Sequence, residues 1–159
     1  MENLEGLLSR LVRNHVDFVI VGGFAAVAHG ASLLTRDVDI CCRFTPGNLM
    51  RLQNAVSDLH PVHRMRPDRM PFSLTRQKCI GLKNLYLDTD YGQLDCLGRI
   101  EGVGEYAIVK KNSIKIDLDF GPCRVLSLNY LIKAKEAMGR PRDKEAVLQL
   151  KALKDDLMR

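Results

Sequence analysis

The chain has 159 residues, 46% hydrophobic and 27% charged, with a formal net charge of +5. That length and balance predict one domain, 1–159, with a sizeable core, and no apolar run approaches the roughly 20 residues a bilayer-spanning helix needs. The modest positive charge favours anionic partners such as nucleotides, whereas few aromatics and no Trp argue against a base-stacking surface.

The N-terminus, Met-Glu-Asn-Leu-Glu-Gly, has no basic segment followed by an apolar one, so a cytoplasmic protein without membrane attachment is expected. Leu4, Leu7, Leu8 and Leu11 recur at helical spacing between Asn3 and Asn14. Asp17 to Val21 reads as a short interior strand. Gly22 to His29 reads as a helix of small residues able to pack closely on a sheet, with Gly30 suited to its end. After a loop, Asp37 to Arg43 is a second strand. Thr45-Pro46-Gly47 starts a helix with Leu49, Leu52, Val56 and Leu59 on its apolar face.

His60 to Pro71 is basic and broken by three prolines, which predicts an irregular, solvated surface segment. Short strands are expected around Leu85–Leu87, Gln93–Leu97, Tyr106–Val109 and Ile114–Phe120. Ser127 opens a helix to Met138 with Gly139 as its cap, and Pro141 opens a final helix to Leu157 bearing Val147, Leu150, Leu153 and Leu157 on one face. Helices 127–157 are expected to pack on the rest of the domain. The five cysteines show no Cys-x-x-Cys spacing and read as reduced and mostly buried.

The chemistry concentrates in Val19–Ile40. A strand turning through Gly22-Gly23 into a helix offers free backbone N–H groups, with no Cβ to keep a phosphate away. Asp37 and Asp39 alternate with Val38 and Ile40, so both carboxylates project from one strand face, about 6.5–7 Å apart at Cα. Such a pair repels unless a cation intervenes. The helix brings the chain back beside its starting strand, and with it the glycine turn beside the acids. That combination suits transfer chemistry on a nucleoside triphosphate.

Gly-Gly, a short helix, then Thr35-Arg36-Asp37-Val38-Asp39-Ile40 resembles the signature of the DNA polymerase β-like nucleotidyltransferases, in their minimal, abortive-infection toxin-like and antibiotic-modifying branches. The resemblance implies an α+β fold, a mixed β-sheet flanked by helices. It implies a two-metal Mg²⁺ site with Asp37 and Asp39 as ligands, and a triphosphate at Gly22 and Gly23. A third carboxylate is expected on a later strand. Asp95, an acid between apolar residues where burial is costly, is the choice over Asp88, Asp90, Asp117 and Asp119. In the family this residue binds metal and can deprotonate the attacking hydroxyl.

Leu131 to Asp143 is similar to the closing segment of the toxin-like members, which maps a triphosphate-neutralising lysine onto Lys135 and a basic-acid pair onto Arg142 and Asp143. The acid that relatives often carry three residues later is Ala146 here. Arg36 could touch a phosphate or balance Asp37 and Asp39. The expected activity is transfer of a nucleoside monophosphate from an NTP such as ATP to a hydroxyl of RNA, protein or a small molecule. A homo-oligomer or a partner protein, as in a toxin–antitoxin pair, could supply acceptor recognition. The alternative is a catalytically silent, antitoxin-like binding module of the same fold.

Overall fold

In the computed structural model, α1 (Leu4–Arg13) buries Leu7, Leu8 and Leu11, and Asn3 caps it by accepting a hydrogen bond from the Gly6 amide at 2.9 Å. The description covers residues 2–32 and 35–159; Met1 of the N-terminal segment and Leu33-Leu34 of the expected loop lie outside it. All four residues of β1 (Phe18–Val21) are buried, as an apolar run without alternation demands of a strand covered on both faces. The small side chains of α2 (Gly22–Ala28) then let the helix lie against β1 and the next strand, β2 (Asp37–Cys42). β2 runs antiparallel to β1 with Val21 opposite Asp39 and Ile20 opposite Ile40. Val38, Ile40, Cys41 and Cys42 are fully buried, so the acids leave the core by alternation alone.

Thr45 caps α3 (Pro46–Val56), and a 3₁₀ turn (Ser57–Leu59) extends its apolar face through Leu59. Asn48, fully buried on α3, ties three segments together. Its Oδ1 accepts from the Asp17 amide at 2.7 Å, and its Nδ2 donates to the Asp17 and Arg43 carbonyls at 3.1 and 2.8 Å. The segment expected to be irregular contains a two-residue strand, β3 (Val62–His63), which pairs with β4 (Asn84–Thr89). A tight turn joins β4 to β5 (Gly92–Leu97), and β5 pairs in parallel with β2, setting Asp95 opposite Asp39.

A small hairpin follows, β6 (Arg99–Ile100) with β7 (Gly104–Glu105). Tyr106–Val109, expected as a strand, is the core of a helix, α4 (Tyr106–Lys111). A short apolar run does not distinguish the two states by itself. Tyr106 and Val109, three apart, are the buried pair, and Ile108 is exposed. β8 (Ser113–Leu118) begins and ends slightly earlier than expected. The chain then folds back as β9 (Gly121–Leu126), a strand concealed by Gly121-Pro122, which reads as a stop. On its β1 side Pro122 meets no ladder partner, because β1 pairs with β9 only around Ile20 and Val125, and on the other side it stands opposite Asp117 of β8.

The sheet order is β3-β4-β5-β2-β1-β9-β8, a mixed sheet flanked by helices, as expected. α5 (Leu128–Met138) contacts α2, and α6 (Pro141–Leu157) packs along α5. Gly139 ends α5 with φ +64°. Val147 and Leu150 are buried, but Leu157 is 61% exposed, so the apolar stripe of α6 stops short of its end. All five cysteines are free and buried, and burial pushes the Cys41 and Cys123 thiols up to about 12 and about 11. They act as small apolar side chains. Among the described residues no helix is long and apolar enough to cross a membrane.

Candidate active site

The parallel β2–β5 register brings Asp37, Asp39 and Asp95 together. Each offers a carboxylate oxygen, and these oxygens lie within 4.8 Å of one another. All three are half-buried on one wall of a cleft of about 750 Å³. Asp37 and Asp39 share a strand face, and Asp95 joins them because cross-strand partners point the same way. Burial chiefly, then the Asp37 and Asp95 charges, push the Asp39 carboxyl up to about 7, with Lys135 and Arg64 acting the other way. Burial also raises Asp95, outweighing its hydrogen bond to Arg64. Three hard oxygen donors in mutual repulsion match the requirements of Mg²⁺ or Mn²⁺.

The rival acids are elsewhere. Asp88 accepts from Arg69 Nη2 at 2.6 Å, and Asp90 lies 2.7 Å from His60 Nδ1. Asp117 is exposed on β8, and Asp119 is exposed in the turn after it. Gly22 has φ +75° and lies directly against Asp39; a Cβ there would collide with the carboxylate. Gly22 lines the cleft together with Lys135 and Arg142. Gly23 instead lines a second cavity of about 470 Å³ between α2 and α6, which shares Gly22, Leu131 and Lys135 with the first. Arg36 is exposed and forms no part of either wall among the described residues.

Asp143 is only 1% exposed, and its partner is Arg140 rather than Arg142. Arg140 Nε donates to Oδ2 at 2.6 Å and Nη2 donates to Oδ1 at 3.2 Å, while the Arg140 amide completes a capping box at the start of α6. Lys135 Nζ lies 3.7 Å from Asp143 Oδ1. Arg140 first, with Lys135 adding to it, holds the Asp143 carboxyl down at about 2. A side chain so enclosed orients Lys135 from behind, and among the described residues the exposed Arg142 is the cation of the cleft lining without an ion-pair partner.

Arg64 was expected in a solvated basic loop, yet it reaches the site. Its Nη2 donates to both Asp95 oxygens, at 2.5 and 2.6 Å, and its Cζ lies 5.8 Å from the Tyr86 ring centroid. Its loop neighbours do stay outside, with Arg66 paired to Asp68 and Arg69 to Asp88. The signal that could have found Arg64 is its place just after a strand beside β4, which the prolines obscure. His29, read as a helix-end residue, ends α2, with Nε2 2.8 Å from the Leu126 carbonyl oxygen.

No protein-family model matches the sequence, and no curated protein matches it significantly. Solved structures do resemble it. A candidate nucleotidyltransferase of Thermotoga maritima is similar at 20% identity with a TM-score of 0.58, over 96% of this chain and 91% of that one. ANT(2'')-Ia bound to adenylyl-2''-tobramycin gives 14% identity and a TM-score of 0.59, over 97% of this chain and 87% of the other. The solution structure of the same antibiotic-resistance factor gives 16% and 0.55, over 97% and 82%. The chain therefore has the nucleotidyltransferase fold, the polymerase β-like arrangement that its glycine and aspartate motif resembles.

Proposed function

We propose that the protein transfers a nucleoside monophosphate from a nucleoside triphosphate to a hydroxyl acceptor. The observation that carries this reading is the Asp37, Asp39 and Asp95 cluster, its oxygens within 4.8 Å of one another, on a fold shared with nucleotidyltransferases. The three carboxylates would hold Mg²⁺, which when bound supplies charge neutralisation at the phosphates and acidifies a nearby hydroxyl. Gly22, with no Cβ, lets the Asp39 carboxylate close on the turn, so the triphosphate would meet the backbone of Gly22 and Gly23 beside the metal ligands. Lys135, oriented by Asp143, supplies positive charge to the same chain of phosphates, and Arg142 supplies more from the rim. Arg36, exposed and outside the cleft, is given no part in holding the triphosphate. Asp95 is the group to accept the acceptor's proton. The acceptor oxygen forms a bond to the α-phosphorus as the bond to the bridging oxygen breaks and pyrophosphate leaves.

The adenylyl-2''-tobramycin bound to ANT(2'')-Ia supports a small hydroxyl compound as one class of acceptor. The test incubates the protein with each labelled triphosphate, Mg²⁺ and, in parallel arms, tobramycin, total RNA and a protein extract. Label should appear in one arm and disappear with Asp37→Asn or Asp39→Asn. Equal transfer by both variants would overturn the reading.

A further inference from the structure

Arg64, Tyr86, Asp95 and Asp39 form one row across the sheet. The Arg64 amide donates to the Tyr86 carbonyl at 2.9 Å, Tyr86 is opposite Asp95, and Asp95 is opposite Asp39. The row delivers a guanidinium to the third carboxylate as directly as it delivers the carboxylate to the other two. One nitrogen, Nη2, engages both Asp95 oxygens, the same atoms that a cation between Asp39 and Asp95 would use. Of the rest of the guanidinium, Nη1 donates only to the exposed Met65 sulfur, at 3.5 Å. Nε is buried without a hydrogen-bond partner, alone in this among the side-chain nitrogens and oxygens of the described residues. A purely structural ion pair would use the planar fork of arginine and leave no buried donor unpaired. Arg64 also opens an exposed turn, with Met65 67% exposed, so its side chain can withdraw without disturbing the core.

We propose that Arg64 is an internal competitor for the third metal ligand, holding Asp95 in the cation-free protein and yielding it when a divalent ion loads. This rests on the divalent-cation reading of the same carboxylates. Arg64 thereby sets how much free Mg²⁺ is needed to complete the site, and it shields Asp95 from Asp37 and Asp39 until then.

The test is a Mn²⁺ titration followed by electron paramagnetic resonance, without nucleotide, on the full chain. Parent, Arg64→Met, Arg64→Lys and the Arg64→Met/Asp95→Asn double variant are compared, with circular dichroism confirming folding. Arg64→Met should bind Mn²⁺ about tenfold more tightly than the parent, the scale of one hydrogen bond to a charged group. Arg64→Lys, which keeps the charge but not the planar geometry, should fall between them and carries the comparison if the methionine variant does not fold. The gain should vanish in the double variant. Unchanged or weaker Mn²⁺ binding by the folded single variants overturns the competitor role while the parent's own binding preserves the metal reading. Absence of Mn²⁺ binding in every variant and in the parent overturns both.

Discussion

The Asp39 carboxylate occupies the space that a side chain at Gly22 would fill. Gly22 also holds φ +75°, a conformation L side chains rarely adopt, so two independent constraints demand glycine there. Gly22→Ala should destabilise the protein by roughly 1–3 kcal/mol and cut Mg²⁺-dependent transfer by at least tenfold by displacing Asp39. Thermal melts and labelled-nucleotide assays check this, and a variant with parental stability and rate would refute it.

Asp39 costs the metal-free fold stability. Its carboxyl is pushed up to about 7, so the folded state binds its proton more tightly than the unfolded state does. The stability tied to that proton is complete below about pH 4 and is lost as pH rises through about 7. In EDTA, Asp39→Asn should therefore melt a few degrees above the parent at pH 8, with the difference shrinking towards pH 4. The same variant should lose transfer. A lower midpoint at pH 8 would show that the carboxylate stabilises the apo fold instead.

Asp143 has the opposite sign. Held down at about 2 by Arg140 and Lys135, it contributes stability present above about pH 4 and lost as pH falls towards 2. Asp143→Asn should lower the midpoint at pH 7, and the difference should shrink below pH 4 and close as pH falls through about 2. It should also weaken nucleotide binding, because Lys135 loses the partner that orients it. Parallel melting curves across that pH range would contradict the assignment.

Much of this was readable in the chain. Asp37 and Asp39 announced themselves by alternating with Val38 and Ile40, and Asp95 by being an acid among apolar neighbours. The glycine pair located the turn. These are local signals, carried by a residue and those beside it. Arg64 was not readable, because its contact depends on β3 pairing with β4 across a segment full of prolines. Strand β9 was hidden by Pro122, whose tolerance depends on how far β1 extends. Tyr106–Val109 satisfies either backbone state until tertiary packing chooses between them. Arg140 displaced Arg142 as the partner of Asp143 because capping geometry joins the first residue before a helix to its third.

Asn48 is another residue that sequence alone would pass over. It satisfies backbone groups of Asp17 and Arg43 in a fully buried position. Asn48→Ala should cost about 2–3 kcal/mol by leaving those groups unpaired. Urea denaturation would detect the loss as a lower midpoint with an unchanged slope. A variant as stable as the parent would mean that solvent replaces the amide without penalty.

The sheet order has a consequence for endurance. The carboxylates stand on the third and fourth of seven strands, counted from β3, so both strands carrying them are hydrogen-bonded on either side. Fraying begins at edges, where amides exchange their hydrogens readily, and reaches interior strands only when the whole sheet opens. The amides of β2 and β5 should thus be among the slowest to exchange. The edge strands β3 and β8 can loosen while the spacing of the acids stays fixed.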